Sequence, residues 1–238
     1  VVEPTELAVA PAQAGALNFR VTVPGQAAHG CMREEGVSAV EKFLPIHQAL
    51  LDLEQARNTN PRNAGAVDPL FASYTLPYAI CIGTVQAGTW ASSVPERLVC
   101  EGRYGVAVGE DLDEARRDLE EAVARAAQAD PWLREHPPTV EWWGGQFAPA
   151  NIPTDHPLVK TLTTTFAEAT GAPARVEGMT YGADMRLLVN QGHTPTILFG
   201  PGDVRMAHRP DEYVPIDDLF AVTESLALTA LRFCGHEK

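Results

Sequence analysis

The sequence predicts an α/β protein: a ferredoxin-like β-α-β-β-α-β block followed by the C-terminal portion of an α/β layer. Three observations predict it. Residues 16 to about 143 run strand, helix, two strands, helix, strand. From about 156 onward, helical periodicity alternates with a near-continuous apolar segment, "TPTILFG". Ahead of the block, "AVAPAQAGA" (8–16) reads as a small-residue linker. The expected division is therefore 1–15, 16–143 and 144–238.

Each element has its own signal. "LNFRVTV" alternates as a half-buried strand does and stops at Pro24-Gly25. Between Gly36 and Gln55, residues Val37, Val40, Leu44, Leu50 and Leu51 keep helical spacing, with Pro45 expected to kink the helix. "NTNPRNAGAVDP" is a polar loop, followed by strands "YAICIGTVQAG" and "RLVCEGRYGVAV" with a turn at Ser92 to Pro95. "GEDLDEARRDLEEAVARAAQAD" is the clearest helix. Its stripe is Leu112, Ala115, Leu119, Ala122, Val123 and Ala126, and Glu110, Asp111 and Asp113 complement the positive end of its dipole. "TVEWWG" supplies the last strand, placing both helices on one face of an antiparallel sheet. The remainder reads as a helix over about 156–170, a short strand at Arg175 and Val176, a helix opening at Asp184, the apolar strand, and a helix from Pro215 to Phe233. In that last helix Leu219, Val222, Leu226, Ala230 and Phe233 are spaced for one buried face.

Composition excludes several classes. Against 31 Asp and Glu stand 18 Lys and Arg, a formal net charge of -13, so there is no basic stripe for a nucleic-acid backbone. Cys31, Cys81, Cys100 and Cys234 form no C-x-x-C, which disfavours a zinc ribbon or disulfide framework and is consistent with small buried side chains in a reducing compartment. No apolar run approaches the roughly 20 residues that span a bilayer. A cytoplasmic protein with no membrane partner is the expectation. The opening "VVEPTEL", without a methionine, is expected to be the interior of a longer protein.

Taken residue by residue, "FGPGDVRMAHRPDEYV" puts Gly200, Pro201 and Gly202 just past an apolar strand, where open α/β sheets carry binding loops. His208 emerges there with Asp211 and Glu212 close behind. A neutral imidazole can ligate a metal and a nearby carboxylate can orient it, yet a lone loop histidine is equally a bracing side chain. In "EGMTYGADMRLL", Asp184 suits a helix cap, and Arg186 offers a planar fork to a carboxylate or is a plain surface charge. His29 follows a strand end in "VPGQAAHGCMREEG" and by itself reads as structural rather than catalytic.

Six segments in one order tie these residues together: "EPT" (3–5), "GQAAHG" (25–30), "GTVQAG" (83–88), "VPERLVCEGR", "YGADMR" and "FGPGDVRMAHRPDEYV". In that order they resemble the dinuclear zinc amidohydrolases and peptidases that include acetylornithine deacetylase, succinyl-diaminopimelate desuccinylase, aminoacylase and the carboxypeptidase G type. The resemblance implies a zinc-binding catalytic domain interrupted by a ferredoxin-like lid that forms a homodimer. It implies two zinc ions per full-length subunit, with cobalt or manganese as substitutes. Glu3 and His208 match metal ligands. His29 matches the lid histidine that reaches the partner subunit's site and holds the oxyanion, Arg186 an arginine that contacts a substrate carboxylate, and Gly200 to Gly202 a loop lining the pocket. The implied substrate is an N-acyl amino acid or a similar small amide.

The family's His-x-Asp, bridging Asp and Glu-Glu pair, which supplies the general base, have no match: none of the seven histidines begins a His-x-Asp. Ser92-Ser93 stands where an Asn is common, and Val2 where a Gly precedes the glutamate. The chain is thus expected to be the lid plus the C-terminal part of the catalytic domain, inactive by itself. The alternative of a different class is a non-catalytic dimerisation or ligand-binding module.

Overall fold

The computed structural model describes residues 1–59 and 68–235. In chain order its strands are β1 (Val9–Gln13), β2 (Gly15–Pro24), β3 (Ala28–His29), β4 (Ile80–Ala87), β5 (Ser93–Val94), β6 (Arg97–Val106), β7 (Thr139–Phe147), β8 (Ala150–Asn151) and β9 (Val176–Met179). The helices are α1 (Ala39–Thr59), α2 (Leu112–Ala129), α3 (Pro131–Glu135), α4 (Pro157–Thr170) and α5 (Ile216–Cys234). Two compact units result, one gathering Val1–Gly15, Val67–Thr75 and Pro149–Lys238, the other Ala16–Ala66 and Leu76–Ala148. Among the described residues no helix is long and apolar enough to cross a membrane. Most of the polar loop expected over 58–69 lies outside the described residues; Asp68 caps a short 3-10 turn at Pro69–Phe71.

The second unit is the ferredoxin-like block. Its sheet order, β4-β6-β2-β7, is the one a split βαβ produces. Alternation in β2 buries Leu17, Phe19, Val21 and Val23 completely, and these share one core with Phe43, Ile46 and Leu50 of α1 and Leu119 and Val123 of α2. Both helices therefore cover the same face. The helix α1 nevertheless turns differently from the expected stripe. Ala39, Phe43, Ile46 and Leu50 point inward, while Val40, Leu44 and Leu51 are 41%, 61% and 41% exposed. Two apolar stripes share the helical period, and the one carrying the larger, aromatic side chain fills the core.

One helix went unforeseen. Asp130 closes α2 and opens α3, accepting the main-chain N–H groups of Trp132 and Leu133 and pairing with Lys42 at 2.7 Å. Burial alone would raise its carboxyl pKa; the Lys42 bond and the two N–H donors outweigh burial and hold it below the ordinary value. The folded value being depressed, this stabilisation is present above about pH 4 and lost as the pH falls through the folded value. Asp130→Ala should cost about 1–2 kcal/mol at pH 7. In urea titrations the gap to wild type should close at acid pH; a gap independent of pH would show that the cap is not ionised.

The first unit corrects the linker reading. Residues 9–13 are not a linker but the central strand of a three-stranded sheet, order β8-β1-β9, antiparallel to β8 and parallel to β9. Both faces of β1 are covered. Val9 packs with Ile152, Leu162, Phe166 and Phe199, whereas Ala8 and Ala10 pack with Met179, Met185 and Leu198. A strand buried on both sides shows no alternation, and its alanines and proline carry little strand propensity, so nothing distinguished it from a linker.

Other elements here also depart from expectation. "TPTILFG" contributes one bridge, Leu198 exchanging 2.9 Å hydrogen bonds with Ala10, because Pro195 has no N–H to donate and Gly200 is drawn to Thr5. The helix expected at Asp184 does open there, with Met185 and Arg186 helical, but it is short and continues as a π-helix over Leu187–Gln191. In α5 the buried positions are Val222, Ser225 and Thr229, with Leu219, Ala230 and Phe233 exposed. The hydroxyls tolerate burial because Ser225 donates to Ala221 O and Thr229 to Ser225 O, and Thr229 also meets Thr165 of α4 at 2.7 Å. Of the four cysteines only Cys100 is buried, its thiol pushed up to about 11 by desolvation, while Cys31, Cys81 and Cys234 are exposed.

Candidate functional site

In the first unit, Glu3 is seated by residues nearly two hundred positions away. Thr5 donates its hydroxyl to Gly200 O at 3.2 Å and accepts the Gly200 N–H at 3.1 Å. Leu7 N–H also donates to Gly200 O, and Glu6 N–H to Gly202 O. Main-chain approach is so close that a Cβ on Gly200 would lie 2.3 Å from Glu3 O. Gly202 is glycine for another reason, a φ of +78°, and its N–H donates to Asp218 near the start of α5. The main-chain polar groups of Gly200 are thus engaged with the opening segment.

The 181–186 segment completes the surroundings of Glu3. Tyr181 donates its hydroxyl to Pro4 O at 3.3 Å, and burial followed by the Glu3 charge raises its pKa. Burial and then the Asp184 carboxylate raise the pKa of Glu3 itself. Both disfavour the charged form of Glu3, and the N-terminal ammonium opposes them only in part. Arg186 donates to Ala183 O at 2.9 Å and to Asp184 at 3.1 Å, with 19% of its side chain exposed. Its fork therefore braces the loop carrying Asp184.

His208 is exposed in the left-handed conformation, φ +63°, with Asp211 likewise at +60°. Glu212 accepts the main-chain N–H of His208 at 3.3 Å, so it braces the turn through the backbone. Among the described residues no group of three or more His, Cys, Asp or Glu could hold a metal ion. Glu3 and His208 still offer the oxygen and nitrogen donors that suit zinc.

His29 belongs to the other unit. Its main chain pairs with Ser93 across β3 and β5, its ring is solvent-exposed, and its Nδ1 accepts the Cys31 N–H at 3.2 Å. A cleft of about 240 Å³ lined by Gly30, Arg33, Ser38, Glu41 and Ser93 opens at this junction, where Arg33 pairs with Glu41.

Comparison with known proteins gives the family and the fold. Residues 12–131 match the peptidase dimerisation domain of the M20 family. The chain belongs to the M20 peptidase and amidohydrolase family. Among curated M20 relatives, it is 26% identical to an N-formyl-4-amino-5-aminomethyl-2-methylpyrimidine deformylase of Halalkalibacterium halodurans, over 86% of this chain and 48% of that protein. It is 27% identical to an acetylornithine deacetylase of Myxococcus xanthus, over 99% of this chain and 57% of that one. A solved dipeptidase of Saccharomyces cerevisiae shares the fold with a TM-score of 0.69 at 10% identity, covering 96% of this chain and 56% of its own. The chain spans about half the length of the curated relatives it matches.

Sequence pattern does not give the long-range partners of Thr5 and Tyr181, which hold the "EPT" segment in place, and it marks Asp184 only as a cap. The signal was available in part: a threonine after Glu-Pro and a tyrosine before Gly-Ala recur in two of the six motifs quoted for the resemblance. Gly200→Ala tests the interlock. Its Cβ meets main chain, so the backbone must shift, at a cost of about 1–3 kcal/mol. Gly83→Ala, where the nearest atom is 3.9 Å away, serves as control. Equal unfolding midpoints for the two variants would refute the interlock.

Proposed function

We propose that this chain serves a metal-dependent hydrolase that cleaves the amide bond of an N-acyl amino acid or a related small amide. The observation that carries the reading is the seating of Glu3. In an M20 chain, the main chain of "EPT" is held against Gly200, so that Glu3 shares a unit with Asp184 and the His208 loop. Glu3 and His208 would hold metal, with the rest of the ligand set and the general base supplied by residues outside these 238. Zinc suits this donor pair, with cobalt or manganese as substitutes, and the expected content is about two ions per subunit. The metal pair would supply Lewis-acid polarisation of the carbonyl and activation of the nucleophile.

The remaining roles fall to this chain's own residues. Arg186 directs positive charge toward a substrate carboxylate, and Gly200 to Gly202 form a wall that side chains cannot occupy. His29 donates a hydrogen bond to the carbonyl oxygen as it gains negative charge, in the partner subunit's site. Homodimerisation through the ferredoxin-like block is supported by two features: the edge strand β4, most of whose residues are exposed, and the outward Val40, Leu44 and Leu51 of α1. A cytoplasmic, metal-loaded homodimer is the resulting picture.

The test is metal analysis together with a hydrolysis screen over N-formyl, N-acetyl and N-succinyl amino acids, on the parent protein. Turnover that chelator abolishes and zinc restores is expected, and His208→Ala should lower metal content. A second reading, a non-catalytic dimerisation module, is favoured by the match of residues 12–131 to a peptidase dimerisation domain. A stable dimer in sedimentation, with neither metal nor amidase activity in the parent protein, would establish that reading.

A further inference from the structure

The turn after β3 does more than place His29. Ser93 pairs with His29 across the β3 and β5 ladder, and Gly30 N–H donates to Ser92 O at 2.7 Å. A Cβ on Gly30 would stand 2.9 Å from that same oxygen, so only glycine lets the chain pass. The 3-10 turn at Gly30–Glu35 then brings the Cys31 N–H back onto the imidazole, where it meets Nδ1 at 3.2 Å. A neutral imidazole carries one proton, and a ring nitrogen that accepts a hydrogen bond cannot carry it. Nδ1 is the acceptor here. The proton therefore favours Nε2.

We infer that the Cys31 main-chain N–H is a positioning group that biases neutral His29 toward the Nε2–H tautomer. The ring thus presents a hydrogen-bond donor, and not a base, to a substrate oxygen. This deepens the donor role given to His29 above and rests on it. An Nε2–H ring cannot take a proton from an attacking water at that atom, nor ligate a metal through it. The donor is also independent of the Cys31 side chain, since the bond is made by backbone. One hydrogen bond of this kind biases the tautomer ratio roughly two- to tenfold.

The experiment is a long-range proton–nitrogen correlation spectrum of the 238-residue chain with nitrogen-15 in its histidines, at a pH about two units above imidazole titration. The His29 signals are identified by their loss in His29→Gln. The expected result is an unprotonated Nδ1 and a protonated Nε2. A protonated Nδ1, or two nitrogens averaged equally, overturns the inference in the wild-type chain, before any variant is needed. Cys31→Pro removes the donor and should move the ratio toward averaging by the two- to tenfold given above, whereas Cys31→Ser keeps the N–H and should leave the spectrum unchanged. A spectrum unaltered by Cys31→Pro would assign the bias elsewhere and overturn the role of Cys31. No activity enters this measurement. An inactive parent protein would sink the hydrolase reading and leave the tautomer result standing, and an Nδ1–H ring would do the reverse.

Discussion

Replacing Arg57 with alanine is expected to destabilise the ferredoxin-like unit by about 3–5 kcal/mol, seen as a lower midpoint in chemical denaturation. Only 2% of the Arg57 side chain is exposed, at the end of α1. Its guanidinium grips Glu110 through two nitrogens, at 2.7 and 2.6 Å, donates to Gly105 O at 3.0 Å and lies 4.4 Å from the Tyr104 ring centre. Burial opposes the charge, but Glu110, then Tyr104 and Asp118, more than offset it, so its pKa stands above the ordinary value. Glu110 in turn accepts the Ala107 N–H, joining the end of β6 to the start of α2. Truncating Arg57 strands a carboxylate in a mostly buried place. Arg57→Leu combined with Glu110→Leu removes both charges, and should recover part of what either single change loses. Additive losses would show that the pair is not coupled.

His29→Ala should lower kcat for amide hydrolysis by about 10²–10³-fold in the hydrolase proposed above, the usual cost of one oxyanion donor, with metal content unchanged. The two readouts separate roles. His29 lies in a different unit from Glu3 and His208, so its loss leaves the proposed ligands intact. KM should change less than kcat, because the donor acts on charge that develops in the transition state. Full activity in the variant would remove the oxyanion role, and lost metal would show that His29 helps hold the ion. Its ring is solvent-exposed, so truncation creates no cavity.

Much of the architecture was legible because period and capping agree with packing. The helix α2 shows this best: its apolar stripe is the buried one, and Asp111 caps it as a short acidic residue should. Legibility failed where burial and chemistry part company. In α1 two apolar stripes share one period, and only the sheet decides between them. In α5 serine and threonine occupy the buried face, with hydroxyls satisfied by their own helix. In β1 burial on both faces erased the alternation that marks a strand.

The candidate site was legible only as separate motifs. Glu3, Arg186 and His208 could be singled out by residue type, but nothing in their spacing shows Thr5 gripping Gly200 or Tyr181 bound to Pro4. Such contacts join residues far apart in sequence, and local pattern carries no record of them. Gly200 reads from the sequence as part of a binding loop after an apolar strand. Its requirement is close approach of main chain, which composition does not reveal.

That grip also sets an order of events. Thr5 and Gly200 are 195 positions apart, so the chain must close a very long loop before Glu3 is seated. The ladder of β1 with β9 and the Ala10–Leu198 bridge close loops of similar length, and contacts so distant in sequence form late in folding. Local helices such as α2 and α4 can form well before then. Glu3 reaches its seat beside Gly200 only when this last closure is complete, so any ion that needs Glu3 binds a finished unit and becomes a reporter of its completion.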